Sequence, residues 1–171
     1  MKLLGAALVL LAATLFGFFQ ALQFARRPRQ IRELISALQR LETEIVYGST
    51  PLPEALRRLS AAAAEPVGPL LGGVAAALAQ RPQTPLGELW REEAERVWKR
   101  SAMKEPEFEA FTRLGLALGL SDRTDQAKHL KLAAAQLKAE EQTAREEQKR
   151  YETMWRSLGV LVGALIVILM Y

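Results

Sequence analysis

The sequence predicts an all-α fold, a helical body set between two apolar ends. Three observations carry this reading. Apolar residues recur at three- and four-residue spacing through most of the central chain, Gly and Pro divide that pattern into short segments, and no stretch sustains the alternation of a strand. Half of the 171 residues are hydrophobic and a quarter are charged. Both fractions fit one chain if the apolar residues are concentrated, and they concentrate at the ends. One histidine and no cysteine exclude a disulfide framework and a thiolate metal site.

The first end, Leu3–Phe19, runs seventeen residues without a charge and stays mostly apolar to Phe24. As a helix, 3–24 spans roughly 33 Å, enough for a bilayer core of about 30 Å. A cleaved signal peptide is the alternative. Its n-region would hold only Lys2, the apolar run is longer than an h-region, and Ala21-Leu22-Gln23 is a poor cleavage site. A retained anchor over residues 1–25 is therefore expected. Arg26, Arg27, Arg29 and Arg32 follow at once. They place that flank in the cytoplasm by the positive-inside rule and are expected to meet anionic lipid headgroups.

The central domain, 26–153, opens with Ile31, Leu34, Ile35, Leu38, Leu41 and Ile45, one apolar stripe of a helix ending at Gly48. Thr50-Pro51 starts a second helix, threonine as N-cap, with Leu52, Leu56 and Leu59 inward. Pro69–Ala79 is nearly charge-free and is either well buried or weakly packed. Thr84-Pro85 repeats the start, giving T-P-L-x-E at 50–54 and again at 84–88. Leu86, Leu89, Trp90, Val97 and Trp98 follow. Glu105-Pro106 opens a helix with Phe108, Phe111, Leu114 and Leu118 on one face. Gly115 and Gly119 allow close helix contact, Gly119 is also expected to end the helix, and Ser121 or Asp122 caps its successor.

That last helix is expected to run from Ser121 to the C-terminus. Ala127, Leu130, Ala134, Leu137 and Ala144 keep its apolar spacing, interrupted by Glu141 and Gln148. Glu141–Arg145 and Glu146–Arg150 pair at i, i+4. The acidic runs at 92–95 and 140–147 read as solvated faces. From Met154 to Tyr171 the chain is apolar again, with Trp155 and Tyr171 as interfacial rings and Arg156 able to snorkel. A second anchor over 154–171 follows. Both basic flanks then put the central domain in the cytoplasm and both termini across the membrane. Ala13, Gly17 and Ala21 form a small-residue stripe, as do Gly159 and Gly163. Packing of the two anchors is one reading of these stripes, and chance in a Gly/Ala/Leu-rich stretch is the other.

The chemistry of an enzyme is missing. No phosphate loop, nucleophile elbow or metal-ligand spacing occurs, and one histidine, His129, supports no triad. The net charge of +4 does not argue for nucleic acid, because the basic residues flank the anchors or alternate with acids without interleaved aromatics. The sequence predicts a non-enzymatic protein without metal or cofactor.

Arg27-Pro-Arg-Gln-Ile-Arg32, Leu41-Glu-Thr-Glu-Ile45 and Tyr47-Gly48-Ser-Thr50-Pro51-Leu52 resemble the stage III sporulation protein AB family. So do Leu114-Gly115-Leu-Ala-Leu-Gly119, Ser121-Asp122-Arg123, Gln126, Lys128-His129 and Ser157-Leu-Gly-Val-Leu161. The likeness covers nearly the whole chain, and its motif residues are candidates for structure or partner contact. That family is similar to the cytoplasmic F domain of type II secretion and type IV pilus platform proteins. The resemblance therefore implies an antiparallel bundle of about six helices serving as a membrane scaffold of the channel between mother cell and forespore. It implies a place in the outer forespore membrane facing the mother cell. Its implied partners are the secretion-type ATPase of the same sporulation operon and other membrane components of the channel, and it leaves a homo-oligomer open. A membrane-tethered signalling or regulatory module binding a soluble effector is the alternative.

Overall fold

The structure, a computed structural model, describes residues 25–170 apart from 49 and 121; within the last helix the side chains of 123, 156, 159, 160 and 162–170 also lie outside the description. The described residues hold six helices: α1 (25–46), α2 (Leu52–Ala62), α3 (Val67–Gln80), α4 (Leu86–Trp98), α5 (Glu105–Leu120) and α6 (Arg123–Met170). The fold is an all-α, six-helix bundle.

Cross-chain bonds fix its topology. Arg27 on α1 meets Glu147 on α6 at 2.8 Å, Arg32 meets Glu141 at 2.9 Å, and Glu42 meets Lys131 at 3.5 Å. Residue numbers rise on one helix as they fall on the other, so α1 and α6 are antiparallel. Arg27 also pairs with Glu107 in the first turn of α5, so α1 and α5 point the same way. Glu33 accepts the Ala64 N–H and Gln30 accepts the Ala102 N–H. These two bonds bring the α2–α3 and α4–α5 turns to the Arg27 end. The helices therefore alternate in direction along the chain. The α1–α2, α3–α4 and α5–α6 turns share the other end.

Each predicted stripe finds its core. Ile31, Leu34, Leu38 and Leu41 on α1 are fully buried with Leu56, Leu70, Leu71, Leu89, Trp90, Phe111, Leu130 and Leu137, while Ile35, Leu52, Leu86, Val97, Trp98 and Phe108 pack around them. Charge-free α3 buries Val67, Leu70, Leu71, Val74 and Ala77. Well buried is thus the correct one of its two readings.

Three local expectations are corrected. Thr50 and Thr84 do not cap. The N-cap positions of α2 and α4 are Pro51 and Pro85, without a side-chain cap bond. In α2 the next residue but one is Pro53, which offers no N–H, and the Glu54 N–H already bonds Pro51 O at 3.0 Å. Pro53 thus takes away one of the donors that a Thr50 cap would use. Instead Thr50 Oγ1 donates to Glu44 Oε2 at 2.8 Å and ties the start of α2 back to α1. Gly119 does not end α5, which continues through Leu120, and no described glycine has positive φ. Gly48 follows the end of α1 for a steric reason, since a Cβ there would lie 2.8 Å from Glu44 O.

Gly115 serves a different contact. Trp90 is fully buried, stacks on Phe111 with ring centroids 4.8 Å apart, and donates its indole N–H to Phe111 O at 3.0 Å. Its ring lies where a Gly115 Cβ would be, and Gly87 opposes Leu116 with an added Cβ 2.6 Å from Leu116 Cδ2. Absent side chains on both helices let α4 and α5 approach closely.

The backbone of α6 is helical over 48 residues, about 72 Å. Among the described residues no helix is long and apolar enough to cross a membrane. The expected first anchor up to residue 24, with Ala13, Gly17 and Ala21, lies outside the described residues. So do the side chains of Gly159, Gly163 and Tyr171 in the second.

Overpacking at Gly115 costs about 1–3 kcal/mol, against at most about 1 kcal/mol gained in helix propensity. Gly115→Ala is therefore expected to lower the melting temperature followed by circular dichroism. Gly119→Ala is expected to lower it less, since its Cβ would meet Leu86 Cβ at 3.3 Å. A Gly115→Ala protein melting at or above the unmodified protein would contradict the close α4–α5 contact.

Candidate functional site

The candidate motif residues form two groups far apart in sequence, 47–52 and 115–129, and both lie at one end of the bundle. Beyond the Glu42–Lys131 pair, α1 ends at Val46 and Tyr47 and Gly48 follow, while α6 begins two turns earlier at Arg123. Thr50, Pro51 and Leu52 lead into α2 at the same end.

Side chains build the α5–α6 turn. Asp122 Oδ1 accepts the Asp125 N–H at 2.9 Å, so Asp122 is the N-cap of α6. Gln126 donates its side-chain amide to Leu118 O at 3.0 Å, satisfying a carbonyl that the end of α5 leaves open. Lys128 pairs with Asp125 at 2.9 Å. The hydrogen bond from Lys128 holds the Asp125 carboxyl below its ordinary range, and the same bond raises Lys128. His129 is half-buried on α6. Ser121 and the Arg123 side chain lie outside the description.

This end also exposes large apolar groups. Tyr47 is 84% exposed and Leu120 90% exposed, with Val46, Leu116 and Leu132 also open to solvent. Further exposed apolar groups, Tyr151, Met154, Leu158 and Leu161, lie along the C-terminal half of α6. The sequence motif included Tyr47 but not Leu120, whose position after Gly119 reads as an ordinary helix end.

The opposite end is organised by charge. Arg27 is 6% exposed and Glu107 is fully buried. The guanidinium gives Glu107 Oε1 two bonds, at 3.0 Å from Nε and 2.6 Å from Nη2. Glu107 Oε2 accepts the Lys104 N–H at 2.6 Å, which caps the start of α5. Glu147 takes Arg27 Nη1 and the Lys104 ammonium, both within 3.1 Å. Among the described residues no buried side-chain nitrogen or oxygen lacks a partner.

Two sequence expectations change here. Arg27 is not placed to meet a headgroup, because burial and the Glu107 pair occupy it. Arg32 is open to solvent but is engaged by Glu141, whereas Arg26 and Arg29 are exposed. The acidic run of α6 is not uniformly solvated, since Glu141 is only 8% exposed. Burial alone would raise the Glu141 carboxyl, yet hydrogen bonds from Arg145 and Arg32 outweigh it and hold it below its ordinary value. Glu147 is lowered too, first by the hydrogen bond from Lys104 and then by the Arg27 charge, against burial. Of the two i, i+4 pairs, Glu141–Arg145 forms at 2.7 Å, while Glu146 accepts a bond from Gln142 at 3.5 Å.

Arg27→Met would leave the Glu107 carboxylate buried without its cation, at an expected cost of about 3–5 kcal/mol. The double variant Arg27→Met/Glu107→Leu is expected to recover much of that loss in urea unfolding. Equal destabilisation by the single and double variants would refute the coupling. The acid response has a definite sign. Carboxyls depressed in the folded state stabilise it above the unfolded value near 4.5 and lose that contribution as pH falls through the lower folded value. Stability is expected to fall as pH drops below that unfolded value, and less steeply in Glu141→Gln/Glu147→Gln. An unchanged slope in that variant would remove both carboxylates from the acid response.

Known proteins place this arrangement. The profile of the family described as Stage III sporulation protein AB matches residues 2–171. Stage III sporulation protein AB of Bacillus subtilis (strain 168) is 39% identical over 170 residues, covering 99% of each chain. A solved structure titled Stage III sporulation protein AB (SpoIIIAB) is similar with a TM-score of 0.68 and 38% identity, over 73% of this chain and 98% of that one. With profile, sequence and fold in agreement, the chain belongs to the stage III sporulation protein AB family.

Proposed function

We propose that the chain is a non-enzymatic membrane platform of the channel between mother cell and forespore. In this reading residues 1–25 and 154–171 anchor it in the outer forespore membrane. The body, 26–153, faces the mother-cell cytoplasm and presents its turn end to the secretion-type ATPase of the same sporulation operon. Other membrane components of the channel pack beside the anchors.

The observation that carries this reading is the even, alternating helix order. With six helices running up and down, the chain enters and leaves the body at the Arg27 end. Both apolar ends can then enter one membrane. With the anchors so placed, the motif residues and exposed Tyr47 and Leu120 would lie at the end farthest from that membrane. An assembly coupling a soluble motor to a bilayer needs that separation. Exposed aromatic and aliphatic groups suit a partner interface better than a solvated tip.

A pull-down of the full chain from sporulating cells tests it. The unmodified protein is expected to bring down the ATPase, and Tyr47→Ala/Leu120→Ser to lose most of it while melting at the same temperature. Loss of one well-packed anchor at an interface costs about 2 kcal/mol or more, roughly a thirtyfold fall in affinity. Undiminished capture by that variant would exclude the turn end as the docking surface. Failure of the unmodified chain to capture the ATPase even after crosslinking would exclude the coupling role.

A further inference from the structure

A cleft of about 760 Å³ opens at the Arg27 end, between the start of α1, the α2–α3 turn and the end of α4. Four arginines line it. Arg26 and Arg29 come from α1, Arg96 from the last turn of α4 and Arg100 from just beyond it. Two acids share the lining, Glu33 and Glu65, and Glu33 already accepts the Ala64 N–H at 3.0 Å. Arg96 is held by Glu93. Arg26, Arg29 and Arg100 make no ion pair among the described residues, whereas Arg27 and Arg32 on the same α1 are each matched by carboxylates.

Other features of the cleft also favour an anion. Helix α3 begins there at Pro66–Pro69, with no side-chain cap and no acid in its first turn. Glu65, just before that start, is the acid nearest to it, and the Gly68 and Leu70 N–H groups already bond Ala64 O and Pro66 O, so the arginines rather than the helix end supply the positive charge of the cleft. Ala64, Pro66, Pro69 and Val97 give the cleft apolar walls beside the guanidinium groups. Guanidinium forks bind phosphate oxygens in pairs and with direction, which a diffuse basic surface does not do.

We propose that this cleft binds the phosphodiester headgroup of an anionic phospholipid, gripped by Arg29 on one wall and Arg100 on another. Position selects lipid over other anions. Arg26 and Arg29 follow Phe24 by two and five residues, about 3–8 Å along a helix. The cleft mouth therefore sits at the edge of the apolar stretch. This step rests on the membrane reading of residues 1–25. It converts a basic flank, which would attract any anionic surface, into a site with walls from three parts of the fold.

Full-length protein in maltoside micelles would be titrated calorimetrically with dihexanoyl phosphatidylglycerol, dihexanoyl phosphatidylcholine, inorganic phosphate and a glutamate-rich peptide. Phosphatidylglycerol is expected to saturate one site and to bind roughly tenfold or more tightly than phosphatidylcholine. Arg29→Gln/Arg100→Gln is expected to lose roughly tenfold or more of that affinity, the worth of one charge-assisted bond. Arg57→Gln, exposed on α2 away from the cleft, should bind as the unmodified protein does, and all variants should melt alike. Equal binding of the two lipids, or full affinity in Arg29→Gln/Arg100→Gln, overturns the proposal. Inorganic phosphate binding as tightly as the lipid overturns it in favour of a free-ion site. Tighter binding of the peptide, lost in the double variant, overturns it in favour of an acidic protein partner. Carbonate extraction of the full chain from membranes tests the anchor separately, because the micellar titration does not depend on insertion.

Discussion

The buried pair of Arg27 and Glu107 is the constraint on which the rest of the bundle depends. Removing a guanidinium and a carboxylate from water costs several kcal/mol per ion, and only close pairing with every remaining donor and acceptor satisfied offsets it. Here the offset comes from three helices at once. Glu107 holds Arg27 of α1 with one oxygen and caps α5 through the Lys104 N–H with the other, while Glu147 of α6 takes what Arg27 has left. A shift of α1 by one turn would strand a buried charge. The apolar stripe alone would tolerate many such slips, so the ion network fixes register where hydrophobic burial cannot.

Direction follows from that register. With α1 and α5 parallel and α6 antiparallel to both, short turns bring the intervening helices up and down in sequence. Six is an even number, so the chain enters and leaves the described bundle at one end and the motif turns lie at the other. The Trp90–Gly115 contact then keeps α4 close against α5, which carries the turn leading to α6. One glycine in the middle of α5 thus supports the end where Tyr47 and Leu120 are exposed. Its value is steric, since no described glycine uses a left-handed conformation.

Much of this was legible in the residues. The stripes of α1, α2, α4 and α5 gave correct inward faces because burial follows the helical period. The close contact read from Gly115 and Gly119 is made at Gly115, and of the two candidate caps, Ser121 and Asp122, Asp122 accepts the Asp125 N–H. The Thr50 cap failed because Pro53 lacks an N–H and the Thr50 hydroxyl bonds Glu44 instead; nothing in the structure explains the failure at Thr84. Arg27, Glu107 and Glu141 were misjudged or missed for a shared reason: charged side chains read as solvated. A signal was present, since each sits four residues from a core position on its own stripe, at Ile31, Phe111 and Leu137. A charge on an apolar stripe demands a buried partner.

The sequence by itself determined the class, the helices, most of the core and the family likeness, because these depend on local periodicity, caps and breakers within a few turns. Tertiary structure alone decided which charges find each other across 80 and 120 residues. It also decided that the Tyr47 and Asp122 turns share one end and that Arg29 and Arg100 face one cleft. The physical reason is range. Helix propensity acts over one turn, whereas these pairings depend on the direction and register of whole helices, which only the packed core and its buried ions settle.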